Sequence, residues 1–303
     1  MKNKLLHMKS LGGATALLLC LATTALPAHG AARGECRTAP SQILGRAVPY
    51  CILLPPGYDA DKTRRFPILY FLHGLGDNEQ MFLHSGGWDL VQDLWESKQL
   101  GEYLIVTPAG GESFFIDSSD GRTRYEDFLV REFLPFIEGR YRVRAGRAFR
   151  GVAGISMGGF GALHLAFHHP ELFSSVSSHS AAVMEKLPAI AVGNSPENGR
   201  LNIFGNVFGS PPDRAFWDRA SPLTLARTAD LAHLAIYFDC GAQDDYGFNA
   251  GAAALDRALE ARHVPHEFHI YPGGHNWAYF AEHLPASLEF HSRVFAQVPV
   301  NRN

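Results

Sequence analysis

The chain has 303 residues, 46% hydrophobic and 19% charged, the composition of a globular protein with enough apolar mass for a core. It excludes a disordered chain, a collagen-like fibre and, with only 4 cysteines, a disulfide-stapled scaffold. The formal net charge of −3 becomes more acidic once Lys2, Lys4 and Lys9 are set aside, so neither nucleic acid nor an anionic membrane surface is an expected partner.

Residues 1–30 read as a secretory signal peptide. The three lysines are followed by an uncharged, apolar or small run from Leu11 to Leu26, and then by Ala28-His29-Gly30, with small residues where a signal peptidase inspects the chain. A retained membrane anchor is the alternative, but the apolar run falls short of the ~20 residues that span a bilayer comfortably. Cys20 would suit a lipid attachment site, except that Leu19 stands where a small residue is needed. The mature protein is therefore expected to begin near Ala31, to be secreted or periplasmic, and to keep no stable membrane span. In that oxidising setting Cys36 and Cys51, which flank a turn near Leu44-Gly45-Arg46, are expected to bridge two paired strands. Cys240 lies in an apolar run and reads as a buried free thiol.

Strand-like and helix-like patterns then alternate. Val48 to Leu54 is a strand run ended by Pro55-Pro56-Gly57, and Phe66 to Leu72 is almost wholly apolar, as a strand buried on both faces would be. Trp88 to Leu100 has a helical period, and Tyr103 to Val106 is a strand. Tyr125 to Ile137 repeats apolar residues at Phe128, Leu129, Phe133, Leu134, Phe136 and Ile137, which predicts a helix. Phe149 to Ile155 reads as a strand, Met157 to Phe167 as a helix rich in small residues, and Ser174 to Ser178 as a polar strand. Residues 185–230 lack clean periodicity and read as an excursion that shapes a substrate pocket. Leu234 to Phe238 and Glu267 to Tyr271 are strands, and Gly251 to Ala261 and Trp277 to Phe295 are helices. This alternation predicts an α/β fold, a mainly parallel sheet with helices on both faces. With no repeat and no Pro/Ser linker, residues 31–303 read as one domain.

Gly154-Ile155-Ser156-Met157-Gly158 matches G-x-S-x-G, follows a strand run and opens a helix. That context predicts a nucleophile elbow, where side chains at Gly154 and Gly158 would collide and Ser156 is held with its hydroxyl exposed above the sheet. A serine hydroxyl needs a base, and the base needs an orienting acid. Among the later histidines His275 stands out, in the turn Pro272-Gly273-Gly274-His275-Asn276-Trp277 after the last strand. His179 is the reserve candidate, and His164 and His168 would point sideways from the elbow helix. The acid should follow the strand at Leu234–Phe238, where Asp244 and Asp245 both fall in a loop and either could instead cap a helix. A developing oxyanion needs backbone donors. Met157 supplies one, and His73-Gly74-Leu75-Gly76-Asp77-Asn78 suggests the Leu75 N–H as the other, with His73 structural.

His73-Gly74-Leu75-Gly76-Asp77, the block from Gly154 to Leu163, and Pro272-Gly273-Gly274-His275-Asn276-Trp277 together resemble the esterase-D-type branch of the α/β-hydrolases over roughly residues 40–295. That branch includes S-formylglutathione hydrolases, feruloyl and acetylxylan esterases, and mycolyltransferases. The resemblance implies the α/β-hydrolase fold, a Ser156–His275–Asp244 triad and oxyanion donors at Leu75 and Met157. Asp245, directly before Tyr246, is by its position the better helix cap, and the resemblance aligns Asp244 through Cys240-Gly241-x-x-Asp244. This chain has His-Gly-Leu-Gly where S-formylglutathione hydrolases carry His-Gly-Leu-Thr, and its export signal favours the secreted esterases.

The function expected is a secreted serine ester hydrolase working through an acyl-enzyme, on a small-molecule or carbohydrate-linked ester, without cofactor or metal. Phe114, Phe115 and Trp277 are candidates for lining an aromatic-friendly pocket. The alternatives are an acyltransferase with the same triad, a thioesterase like S-formylglutathione hydrolase and, from another class, a non-catalytic binding protein. His266-Glu267-Phe268-His269 lacks the helical H-E-x-x-H spacing of a zinc enzyme.

Overall fold

The computed structural model of the protein describes residues 31–186 and 203–297. The signal-like segment with Cys20, and residues 187–202 of the 185–230 excursion, lie outside the described residues. Eight strands form one sheet in the order β1-β2-β4-β3-β5-β6-β7-β8. They are β1 Arg33–Ser41, β2 Arg46–Leu54, β3 Ile68–Leu72, β4 Leu104–Pro108, β5 Arg150–Ile155, β6 Ser175–His179, β7 Ala235–Gly241 and β8 Glu267–Tyr271. β2 is antiparallel to β1 and β4, and every other pairing is parallel. In the β1–β2 register Cys36 stands directly opposite Cys51, and the two form a disulfide. Cys240 is a buried free thiol.

The helices are α1 Gly57–Ala60, α2 Met81–His84, α3 Gly87–Glu96, α4 Tyr125–Phe128, α5 Leu134–Arg140, α6 Met157–His168, α7 Ile203–Phe208, α8 Arg214–Ala220, α9 Pro222–Thr228, α10 Phe248–Glu260 and α11 Trp277–Ala296. Two cores lie on the two faces of the sheet, and alternate strand residues feed them in turn. Ile68, Tyr70 and Leu72 enter one core, while Leu69 and Phe71 enter the other. Because both faces are covered, the central strands read as continuous apolar runs rather than alternating ones.

Two regions depart from the sequence expectation. A π-helical turn, Leu129–Phe133, joins α4 to α5. Phe128 and Phe133, like Leu129 and Leu134, are five residues apart and all buried. Five residues overshoot an α-helical turn of 3.6, and the wider π turn takes up the extra residue. The described part of the excursion is helical, forming α7, α8 and α9. Asp213 caps α8 by accepting the Phe216 N–H, while Trp217 and Phe208 pack into the core.

Candidate active site

The fold brings Ser156, Asp244 and His275 together from three connections at the C-terminal ends of the parallel strands, between β5 and α6, after β7, and after β8. Ser156 has φ of 56° and ψ of −115°, a left-handed conformation that β-carbon-bearing residues rarely adopt. Its N–H donates to the His179 carbonyl at 2.9 Å, and its own carbonyl accepts from Ala182 N at 3.0 Å. A Cβ at Gly158 would collide with the Leu72 carbonyl, and one at Gly154 with the Gly158 carbonyl, so the turn closes only with glycine at both positions.

Ser156 Oγ lies 2.9 Å from His275 Nε2, and His275 Nδ1 lies 2.7 Å from Asp244 Oδ2. With Nδ1–H donating to the carboxylate, Nε2 is free to accept from the serine hydroxyl. The Asp244 side chain is fully buried, and that of His275 is 9% exposed. Burial alone would push the Asp244 carboxyl up. The His275 ring and the Phe248 and Tyr246 amides, which donate to Oδ1 at 3.2 and 3.0 Å, outweigh it and hold the group below the usual aspartate range. The Cys240 thiol donates to Asp244 Oδ2 from 3.6 Å, a contact not foreseen from the sequence.

The neighbouring Asp245 has a different task from the helix cap expected of it. Its Oδ2 accepts the backbone N–H of His275 at 3.1 Å, while the amides at the start of α10 turn to Asp244 instead. The Asp244 loop and the His275 loop are laced together further by Gln243 N to Gly273 O at 2.9 Å and Gly273 N to Gln243 Oε1 at 2.7 Å. A Cβ at Gly241 would collide with the Gly273 carbonyl, so the two loops can approach this closely only because Gly241 has no side chain.

Met157 opens α6, where the first amides have no partner within the helix. Among the described residues, neither the Met157 nor the Leu75 N–H has a backbone acceptor. The Leu75 loop runs past Ser156, with an added Cβ on Gly74 falling 3.7 Å from Ser156 Cβ. His73 is fully buried; its Nε2 accepts from Gly110 N and its Nδ1–H donates to the Gly74 carbonyl, both at 2.8 Å. Burial lowers its pKa, favouring the neutral ring that these two bonds require.

The aromatic expectations are redistributed. The Phe114 and Phe115 rings are 2% and 0% exposed and sit in the core, so they are packing residues rather than pocket walls. Phe114 packs against Phe160, Phe204 and Phe208, and Phe115 against His73 and Tyr125. Trp277, half-buried at the start of α11, packs on the opposite core. The rings around His275 are instead Tyr246, Phe248 and Phe280, with centroids 4.8, 5.5 and 5.4 Å away. Tyr246 and Phe248 stand two and four residues after Asp244, close enough in sequence to have been signalled; Phe280 reaches the site only through folding. Tyr246 and Leu75, on the loops that follow β7 and β3, are 67% and 43% exposed.

His179 is fully buried rather than presented to substrate. Its Nε2 pairs with Ser287 Oγ at 2.7 Å, and its Nδ1 is 2.8 Å from Asp239 Oδ2 but misaligned for a hydrogen bond. Asp239, inside β7, takes the Tyr279 hydroxyl at 2.7 Å. Among the described residues the one cluster spaced to ligate a metal, Glu126, His164 and His168, lies toward the far end of α6 from Ser156.

An eight-stranded sheet of this order with a serine on its elbow defines an α/β-hydrolase. Residues 41–291 match the family model named Esterase, described as "Putative esterase", and the chain belongs to that family. It is 30% identical over 246 residues to an esterase of Mycobacterium tuberculosis, covering 74% of this chain and 51% of that protein. It thus spans about half the length of that relative. It is 27% identical over 230 residues to a diacylglycerol acyltransferase/mycolyltransferase of Mycobacterium leprae, covering 69% and 67% of the two chains. The structure is similar to that of a ferulic acid esterase, with a TM-score of 0.74 and 27% identity, covering 87% of this chain and 98% of that one.

Proposed function

We propose that this protein is an exported serine esterase, with residues 31–303 acting as one catalytic domain. The reading rests on the hydrogen-bonded series from Asp244 through His275 to Ser156, on an elbow turn that strains the serine backbone. Ser156 Oγ attacks the ester carbonyl as His275 Nε2 takes its proton. The Met157 and Leu75 N–H groups hold the negative oxygen of the tetrahedral intermediate. Collapse passes the proton from His275 to the departing alcohol and leaves an acyl-serine. Water, deprotonated by His275, then attacks the acyl carbonyl, the acid departs and Ser156 regains its proton.

The exposed apolar side chains of Leu75 and Tyr246 beside this chemistry favour a small-molecule or carbohydrate-linked ester with an apolar or aromatic acyl part. The likeness to a ferulic acid esterase supports the same class. Transfer of the acyl group to an alcohol is the second reading, favoured by the similarity to a mycolyltransferase. Purified protein should release free acid from acetyl, butyryl or feruloyl esters in water alone. Acyl products that form only when an alcohol acceptor is added would replace hydrolysis by transfer, and no turnover of any ester would remove both readings. Export rests on residues 1–30, and N-terminal sequencing of the natural protein should begin near Ala31; an intact Met1 on cytosolic protein would contradict it.

A further inference from the structure

Toward the C-terminal end of α6, remote from Ser156, three imidazoles converge on one carboxylate. Glu126 Oε2 is 3.0 Å from His164 Nε2, and Oε1 is 2.6 Å from His168 Nδ1 and 2.9 Å from His169 Nε2. His164 and His168 are one helical turn apart, on the same face of α6, and Glu126 is brought to them by α4. The Glu126 and His164 side chains are 12% and 5% exposed, while that of His168 is 53% exposed and opens the cluster to solvent.

The His164 ring fixes the chemistry. Its Nδ1 lies 2.7 Å from the Ala220 carbonyl, which can only accept, so Nδ1 carries a proton. The other ring nitrogen, Nε2, faces Glu126 Oε2 at 3.0 Å, a contact closed either by a proton on Nε2 or by a cation shared between ring and carboxylate. The arrangement is the one that metal-bound histidines adopt, with one nitrogen free for the ion and the other donating to a backbone carbonyl that fixes the tautomer.

We propose that Glu126, His164 and His168 form a binding site for a divalent zinc ion. Two imidazoles and one carboxylate are a common zinc donor set, completed here by water on the open His168 side. The ligating atoms of the three residues all lie within 4.8 Å of one another. Tetrahedral zinc with bonds of about 2.0–2.1 Å separates its ligands by roughly 3.3 Å, so the carboxylate–imidazole contacts of 3.0 and 2.6 Å would each open by less than about 1 Å to admit the ion. His169 stays outside the set and donates to Oε1. The ion would fasten α4 to the elbow helix, and His164 would extend the tie to the end of α8 through Ala220. The role is structural, since the cluster shares no residue with the Ser156 site.

The test uses tag-free protein freed of metal by a chelator, titrated with zinc by calorimetry and followed in its melting temperature. One equivalent should bind with micromolar or tighter affinity, and at a hundredfold excess over Kd the melting temperature should rise by roughly 5 °C. Cobalt(II) added in place of zinc should give the intense visible d–d absorption of a four-coordinate ion, a readout that needs no variant. His168→Ala, altering the half-exposed ligand, should weaken zinc binding at least tenfold and abolish the cobalt spectrum, whereas His169→Ala should keep both. If wild-type protein binds zinc no more tightly than about 100 μM, or His168→Ala binds as tightly as wild type, the cluster is an imidazolium–carboxylate network and the proposal is overturned.

Discussion

Asp245 accepts the backbone N–H of His275 at 3.1 Å while its neighbour Asp244 accepts from the His275 ring at 2.7 Å, so adjacent carboxylates hold one histidine by its main chain and by its side chain. The two contacts have separable consequences. Asp244→Asn keeps the shape but favours the wrong imidazole tautomer, a change that costs about 10⁴ in turnover in serine proteases, and a loss of at least roughly 10² in kcat is expected here. Asp245→Ala leaves the tautomer intact and loosens only the loop, for which a loss of roughly tenfold is expected. Steady-state kinetics on both variants decide between these roles, and a larger loss for Asp245→Ala would reverse them.

A pH dependence of stability follows from His291, which is wholly buried in α11 between Ser175 and Ser177 of β6. Burial, reinforced by His179, pushes its pKa down to about 3. In the unfolded chain an imidazole titrates near about 6.5. Between those values the unfolded state binds a proton that the native state refuses. The stabilisation is therefore complete above the unfolded value and is lost as pH falls below it, at about 1.4 kcal/mol per pH unit. Urea unfolding at pH 7, 6 and 5 should show a steeper loss for wild type than for His291→Gln, although the variant starts less stable. Equal slopes would contradict the assignment.

The Cys36–Cys51 bridge closes a segment of sequence separation 15. In the chain-entropy model such a loop stabilises by about 3 kcal/mol. Unreduced, denatured protein comprising residues 31–303 should titrate with one thiol, that of Cys240, and Cys36→Ser/Cys51→Ser should unfold at correspondingly lower denaturant. Three reactive thiols would show the bridge absent in solution.

The parallel sheet was legible from the compact apolar runs of β3, β4 and the start of β7, and the elbow because its glycines announce a turn with no room for side chains. Ser156 and His275 were legible for the same reason: both sit in short, glycine-rich connections right after a strand. What the sequence did not convey depends on long-range contacts. Phe114 and Phe115 look like pocket residues in a loop, but both adopt left-handed backbone conformations, with φ of 54° and 58°, that turn their rings into the core beside Gly161. Asp245 looks like a helix cap until the β8–α11 connection is brought against it. In the Glu126 cluster His164 and His168 stand one helical turn apart, but the carboxylate comes from 38 or more positions away, and no local pattern ties it to them.

The central claim is that Ser156 is a nucleophile activated by His275. Intact-protein mass spectrometry after treatment with a fluorophosphonate tests it most directly. The account predicts one phosphonyl adduct on wild type, mapped to Ser156 by peptide analysis, absent in Ser156→Ala and formed at least roughly 10² more slowly in His275→Ala. An unmodified wild-type protein, or an adduct that persists in Ser156→Ala, would contradict it.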